Sequence, residues 1–523
     1  MSHAIPLLAL LLAGCSADSL FVADEAGDSA DGAYADEGAA DGGSADYGAA
    51  DGGSSDGYGS ETEDSFFSLA PATTFAYVFV ANPDRDTVTR VSVPSLEVIT
   101  TEVGHHPIAV ETTSDYTKAV TFNEGDDTVS IIDADTLAVT EVAVRADFNT
   151  MSMSPDGRWV MCWYDEDAAD QGTDDGGVQS YNEVSFVDTE NLEHTPLVVG
   201  FNPRQVQFTE DSGTAVVVSD AYIAVIDLTA DTLEPDRIAL TDDLVDPPTA
   251  EEVLLAPDGS YAFVRQFGAT ELVVVDLASG DVGQVSVGDN PTDLDITPDG
   301  RQAIAVARGS SELWLYDMAD PYATPDVVDM PTEEVFGSLL MSPDGSRGLL
   351  YSTATGAARY ASWELFGNSI TVRELVKPVA SMGVSPTGET ALVFHPETNG
   401  TDIDSSSPFY DEYALTMIDM TDDFFSNPLR LPAEAIGYSH SSDGTRGYFI
   451  MDGFPALEVL HYTDLLYDEV DLPSNPVHVG VLPESRLAWV SEEHDLGRMS
   501  FYDPDTEILQ TITGFELNSG IEH

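Results

Sequence analysis

The chain has 523 residues, 42% of them hydrophobic, with 22 Phe, 20 Tyr and 5 Trp, enough for a packed core. Its 94 acidic residues against 18 basic ones give a formal net charge of −76. A field of that sign repels phosphate backbones and anionic headgroups, which excludes nucleic acid as a partner and disfavours anionic substrates. Acids scattered along the whole chain fit two readings: a salty medium that screens their repulsion, or display of carboxylates to divalent ions.

Residues 1–14 read as a targeting segment. The apolar run over residues 5–12 is far too short to span a bilayer as a permanent helix. It ends in Leu12-Ala13-Gly14-Cys15, which resembles the lipobox of bacterial lipoproteins. That resemblance implies cleavage before Cys15 and acylation of its sulfur. It departs from the family pattern in having only His3, and no Lys or Arg, before the apolar run. Ser16 follows Cys15, and within the family the lack of Asp there implies sorting to an outer membrane. Two or three acyl chains make a stable anchor, whereas one alone is marginal. The second cysteine, Cys162, lies in the apolar run Trp159-Val160-Met161-Cys162-Trp163-Tyr164 and is expected to be a buried thiol.

Residues 15–74 are rich in Ala, Gly, Ser and Asp and contain no Lys or Arg, and residues 31–60 fall into three near-copies of ten. Such a stretch cannot bury enough apolar surface to offset the entropy of ordering, so it is expected to be a disordered acidic tether.

From residue 75 onward a repeat governs the chain. Each unit carries an alternating run, a turn often reading Pro-Asp-Gly, an apolar strand, another turn, and a strand ending in Asp. In the unit spanning residues 289–320, the turn is Pro298-Asp299-Gly300, flanked by runs over residues 292–297, 303–307 and 313–317. Related turns occur at 154–157, 210–213, 256–259, 342–345, 385–388 and 442–444. Short strands at this spacing predict an all-β fold, a single large β-propeller rather than a sandwich. We count ten units, and seven to ten blades fit the pattern. Insertions interrupt the third unit, near 165–179, and the eighth, near 396–411.

The opening unit, Tyr77-Val78-Phe79-Val80-Ala81-Asn82 with Asp86-Thr87-Val88, resembles the YVTN family of propeller repeats, as does Asp127-Thr128-Val129-Ser130-Ile131-Ile132-Asp133. The resemblance covers residues 75–514 and implies a secreted or periplasmic propeller related in fold to lactonase-type and WD40-like propellers. The propeller domain is expected to span 75–523. The first unit reads without an inner strand of its own, and the tail 515–523 is expected to supply it and close the ring.

Alternation along the innermost strands sends Val206 and Phe208, Leu294 and Ile296, Met151 and Met153, and Val479 and Val481 between blades. Their neighbours Glu111, Gln205, Gln207, Glu252, Asp293, Asp295 and His478 are then expected to line the central channel. Carboxylates around a wet channel suit a hard cation, and Glu252, Asp293 and Asp295 are the candidate ligands for Ca²⁺. His105 and His106 sit before an inner strand but lack zinc-site spacing. The chain contains no Gly-x-Ser-x-Gly elbow, His-Glu-x-x-His site or phosphate loop, and no catalytic residue is assigned. The expected function is therefore a membrane-anchored binding or scaffold lipoprotein at the outer membrane, acting as a monomer on an envelope protein or glycan. The alternative is a metal-dependent, lactonase-like hydrolase at the channel mouth.

Overall fold

The computed structural model describes residues 71–514 and 517, apart from 166–181, 242–249, 267, 268, 333, 402, 422 and 423. The signal segment, Cys15, nearly all of the tether and most of the third unit's insertion lie outside these residues. Within them the chain forms ten four-stranded antiparallel sheets, each built from strands consecutive in sequence. The only helical element among them is a single 3₁₀ turn at Pro83–Arg85. We number the sheets as blades 1 to 10. Blade 6 is representative: Pro291–Ile296, Gln302–Ala307, Glu312–Asp317 and Asp326–Asp329 run from the innermost strand to the outermost. The ten-unit count made from the sequence is therefore the number of blades.

Burial explains this order. The second and third strands carry apolar side chains on both faces, and Ala303, Ile304, Ala305, Val306 and Ala307 are all fully enclosed. Fourth strands read one buried residue among exposed ones, as in Val139–Ala143 and Val282–Ser286, which fits an outer edge facing solvent. Ten clusters of buried apolar side chains fill the ten junctions between neighbouring blades. The tenth junction sets Val78, Val80 and Val91 of blade 1 against Leu482, Trp489, Met499 and Phe501 of blade 10. That contact closes the ring.

Blade 1 obtains its inner strand from Ala72–Thr73, which pairs with Phe79 and Val78. This corrects the expectation that the tail supplies that strand, and it places the start of the folded domain inside the stretch assigned to the tether. A two-residue strand in an Ala-Pro-Ala-Thr context carries too little alternation to be read in advance. The tail contributes differently. Leu517 forms an isolated parallel bridge with Gly497 and is buried in the junction between blades 10 and 1.

The Pro-Asp-Gly turns nest one against the next. Gly300 and Gly345 have φ of +68° and +67°, and a Cβ on each would lie 3.0 and 3.1 Å from Pro257 and Pro298 of the preceding blade's turn. Glycine serves both needs, a left-handed backbone and close approach. A hydroxyl at the head of the turn donates to the turn's Asp, as in Thr297 to Asp299 (2.8 Å) and Ser342 to Asp344 (2.7 Å).

Candidate functional site: the insertion-bearing face

Antiparallel order fixes which connections share a face. Loops from second to third strand and loops from one blade's fourth strand to the next blade's first strand emerge together, and main-chain bonds join them. Glu124 N donates to His106 O (3.0 Å), Arg308 N to Asn290 O (3.0 Å) and Glu493 N to Asn475 O (2.8 Å). The strand ends that flank 166–181, 242–249 and the insertion at 396–412 all lie on this face. The opposite face carries the nested turns and the short loops between third and fourth strands. The described flanks of the chain's long connections thus lie on one side of the ring.

The insertion between Thr390–His395 and Tyr413–Asp419 is held from beneath by buried cationic and neutral donors. Lys377 is fully enclosed, and its Nζ donates to the carbonyls of Glu397 and Glu412, both at 2.6 Å. One ammonium therefore ties together the two feet of the loop. Desolvation lowers the Lys377 pKa, opposed by the charges of Asp411, Glu397 and Glu412. His395, also buried, meets Pro378 O through Nδ1 and Thr416 Oγ1 through Nε2, each at 2.7 Å. A carbonyl only accepts, so Nδ1 carries the proton and Nε2 accepts from the Thr416 hydroxyl. Desolvation pushes this histidine down to about 4, which keeps it neutral.

Higher in the loop, Asn399 and Asp411 bond reciprocally: Asn399 Nδ2 donates to Asp411 Oδ1 at 2.5 Å, and Asp411 N to Asn399 Oδ1 at 2.8 Å. Thr401 N donates to Gly356 O of blade 7 at 3.2 Å. The insertion is thereby laid across the neighbouring blade, with Tyr410 37% exposed on its surface. Nearby, Tyr413 donates weakly to Glu434 Oε2 (3.4 Å), and burial raises the Glu434 pKa.

The residues expected to line the channel occupy the inner strands, and two of them, Asp293 and Gln207, bond across to the next blade. Gln205 is exposed, and Glu111, Gln207, Glu252, Asp295 and His478 are half-buried. Asp293 is 2% exposed, and its Oδ2 accepts the amide of Leu339 on the next blade at 2.6 Å. It is enclosed rather than open to a channel. Gln207 Nε2 donates to Val253 O of the next blade (2.5 Å). Glu252 pairs with Arg265 at 3.0 Å, whose Nη1 reaches Pro291 O of blade 6 at 3.4 Å.

Inner strands of neighbouring blades are not laddered to one another by main-chain pairing, and these polar side chains bridge the gap. Val206, Leu294, Met151 and Val479 face the opposite way, into the junction with the preceding blade. In six inner strands the register shifts around the second residue, for example between Pro291 and Asp293. Beyond the shift alternation holds, with Leu294 and Ile296 together in the junction between blades 5 and 6 and Asp293 on the other face, where it meets Leu339 of the next blade. Among the described residues no three of His, Cys, Asp and Glu gather closely enough to hold a metal ion, so Glu252, Asp293 and Asp295 are not brought together as a ligand set.

Desolvation raises Glu111 to about 7 and lowers His478 to about 4, so both resist charging in their strands. Cys162 is fully buried and burial raises its pKa, leaving an inert thiol. His105 Nδ1 meets Asp86 Oδ2 at 2.8 Å and Asp86 also accepts the amide of His106, which makes this pair a loop clasp.

No protein-family model matches the chain, and no curated protein matches it. Solved structures resemble it at low identity. A dihydro-heme d1 dehydrogenase NirN in complex with DHE is 17% identical over 68% of this chain and 73% of its own, with a TM-score of 0.43. A eukaryotic initiation factor is 12% identical over 76% and 97%, with a TM-score of 0.49. The Cps50 (Swd1) β-propeller domain of Myceliophteria thermophila is 11% identical over 60% and 94%, with a TM-score of 0.34. These likenesses say nothing about what this chain binds. Its propeller architecture rests on its own strand order.

Proposed function

We propose that this chain is a binding module held at the outer membrane through an acylated Cys15. An extended acidic tether then carries the propeller toward an envelope protein or glycan. The observation that carries this reading is the insertion at 396–412, which is fastened at both feet by Lys377 and laid over blade 7. A loop without partners of its own has no need of such anchoring, whereas a recognition loop gains affinity from being fixed before it binds. The strand ends that flank 166–181 and 242–249 lie on the same face, which makes that face the docking side. The strong negative charge selects against anionic partners. The lactonase-like alternative calls for a metal held by acids of several blades; of its candidate ligands, Asp293 accepts the Leu339 amide and Glu252 pairs with Arg265, which favours the binding reading.

Photo-crosslinking tests the reading in the full-length protein in its own envelope. A photoreactive phenylalanine replaces Tyr410 on the insertion-bearing face or, as a control, Phe366, which is 85% exposed on the opposite face. We expect a discrete adduct from position 410 and none from 366. Adducts from 366 alone, or equal yields from both, would contradict the assignment of the docking face.

A further inference from the structure

Glu458 stands in the third strand of blade 9, Phe454–His461. Its register partners are Phe449 on the second strand and Glu469 on the fourth. Phe449 and Leu460 mark this as the side that fills the junction with blade 8. The Glu458 side chain is 0% exposed, and neither carboxyl oxygen has a hydrogen-bond partner. An ionised carboxylate in that position would be strongly disfavoured.

The other blades show what is missing. At the same place the third strand carries Thr89, Ser130, Thr416 and Ser500 in blades 1, 2, 8 and 10. Each bonds to the polar residue that ends its second strand: Asn82 at 2.9 Å, Asn123 at 2.9 Å, His395 at 2.7 Å, and Glu492. In blade 9 the second strand ends in Met451, at a register shift between Ile450 and Met451. A longer acid thus replaces the short hydroxyl, and its polar counterpart is a thioether that offers no comparable bond.

We propose that Glu458 is a proton-dependent clasp of the joint between blades 8 and 9: neutral, it packs in the junction, and loss of its proton loosens that joint while the other nine hold. The groups facing it support this. The fourth strand presents Glu469 directly opposite, with Tyr467 and Asp471 two residues to either side. The second strand presents Phe449. Blade 8 presents apolar side chains such as Leu415, Met417 and Leu431, together with Tyr413, whose hydroxyl is engaged by Glu434. Tyr438 and Tyr462, in the same cluster, bond to each other. Burial, aided by the charge of Glu469, raises its pKa to about 8.

The sign of the pH effect follows from linkage. An acid whose pKa is raised by folding contributes no penalty below its unfolded value, about 4.3. Stability is then lost as pH rises from there to the folded value, and the loss levels off above it. Across that window the unfolding equilibrium constant rises about tenfold per pH unit from this one group.

The test compares the full chain with Glu458→Gln in urea unfolding from about pH 5 to pH 9, with hydrogen exchange mapped by blade. The native chain is expected to lose stability relative to the variant as pH rises to about 8, by on the order of 10³-fold in the unfolding constant across the window. The extra exchange is expected in blades 8 and 9. Parallel profiles, or extra exchange spread evenly over the ring, would overturn the proposal. Should the Gln variant fail to fold, Glu458→Thr gives the same comparison with the residue type found there in blades 1 and 8.

Discussion

Gly400 and Gly453 separate two costs that a single glycine substitution usually mixes. Both have left-handed backbones, with φ of +62° and +58°, but a Cβ on Gly453 meets nothing within 4 Å. A Cβ on Gly400 would lie 2.2 Å from Gly356 O and 2.5 Å from Pro378 Cγ. Gly453→Ala should therefore cost about 1–2 kcal/mol, the left-handed penalty alone. Gly400→Ala should cost more and also release the insertion from blade 7, seen as faster proteolysis within 396–412. Equal losses in denaturant unfolding, with the insertion still protected, would show that the loop is not seated on Gly356. Little of this was legible in the sequence, which marked 396–411 as an interruption but could not show that Lys377, one of only two lysines, lies beneath it. A lysine beside a proline carries no signal of burial until the fold brings two carbonyls to its ammonium.

At the scale of elements, the turns were the most legible feature and the ring's ends the least. A Ser or Thr two residues before Asp, followed by Gly, states its own hydrogen bonds. Those bonds hold Asp299 and Asp344 below the usual carboxylate range, through Thr297 for the first and the Ser346 amide for the second. Part of the acidity is thus turn chemistry, a third reading beside salt adaptation and cation display. Alternation located the apolar half of each inner strand, as Leu294 and Val206 show. It did not show that the face opposite Leu294 also looks onto the next blade, where Asp293 meets Leu339.

The ends misled for a different reason. Ala72–Thr73 is too short to read, and Leu517 acts through one side chain rather than through a strand. Leu517→Ala should lower stability by about 2–5 kcal/mol, the usual loss for a buried leucine. Substituting a residue that merely trails from the surface would leave the denaturation midpoint where it was, and that outcome would remove the tail from the closing junction.

At the scale of the molecule, the scarce cations are used at the joints. Arg90 donates to the carbonyls of Ala134 and Asp135 in blade 2 at 2.7 and 2.6 Å, and Lys118 to Thr189 O in blade 3 at 3.0 Å. Arg347 reaches Met420 O in blade 8, and Arg486 joins Asp443 of blade 9 at 2.6 Å. A body of net charge −76 repels itself, and bridges of this kind, added to ten apolar junctions, hold its blades together. Each blade touches only its neighbours, so an open array would fray from its ends, whereas a closed ring has no ends.

Hydrogen exchange by strand tests that closure directly. If the junction of Val78, Val80, Trp489 and Leu517 seals the ring, the amides of Tyr77–Asn82 and Ala488–Glu492 will be protected as strongly as those of Tyr261–Gln266 and Gln302–Ala307. Exchange that runs far ahead in blades 1 and 10, and slows progressively toward blades 5 and 6, would contradict a closed ten-blade ring.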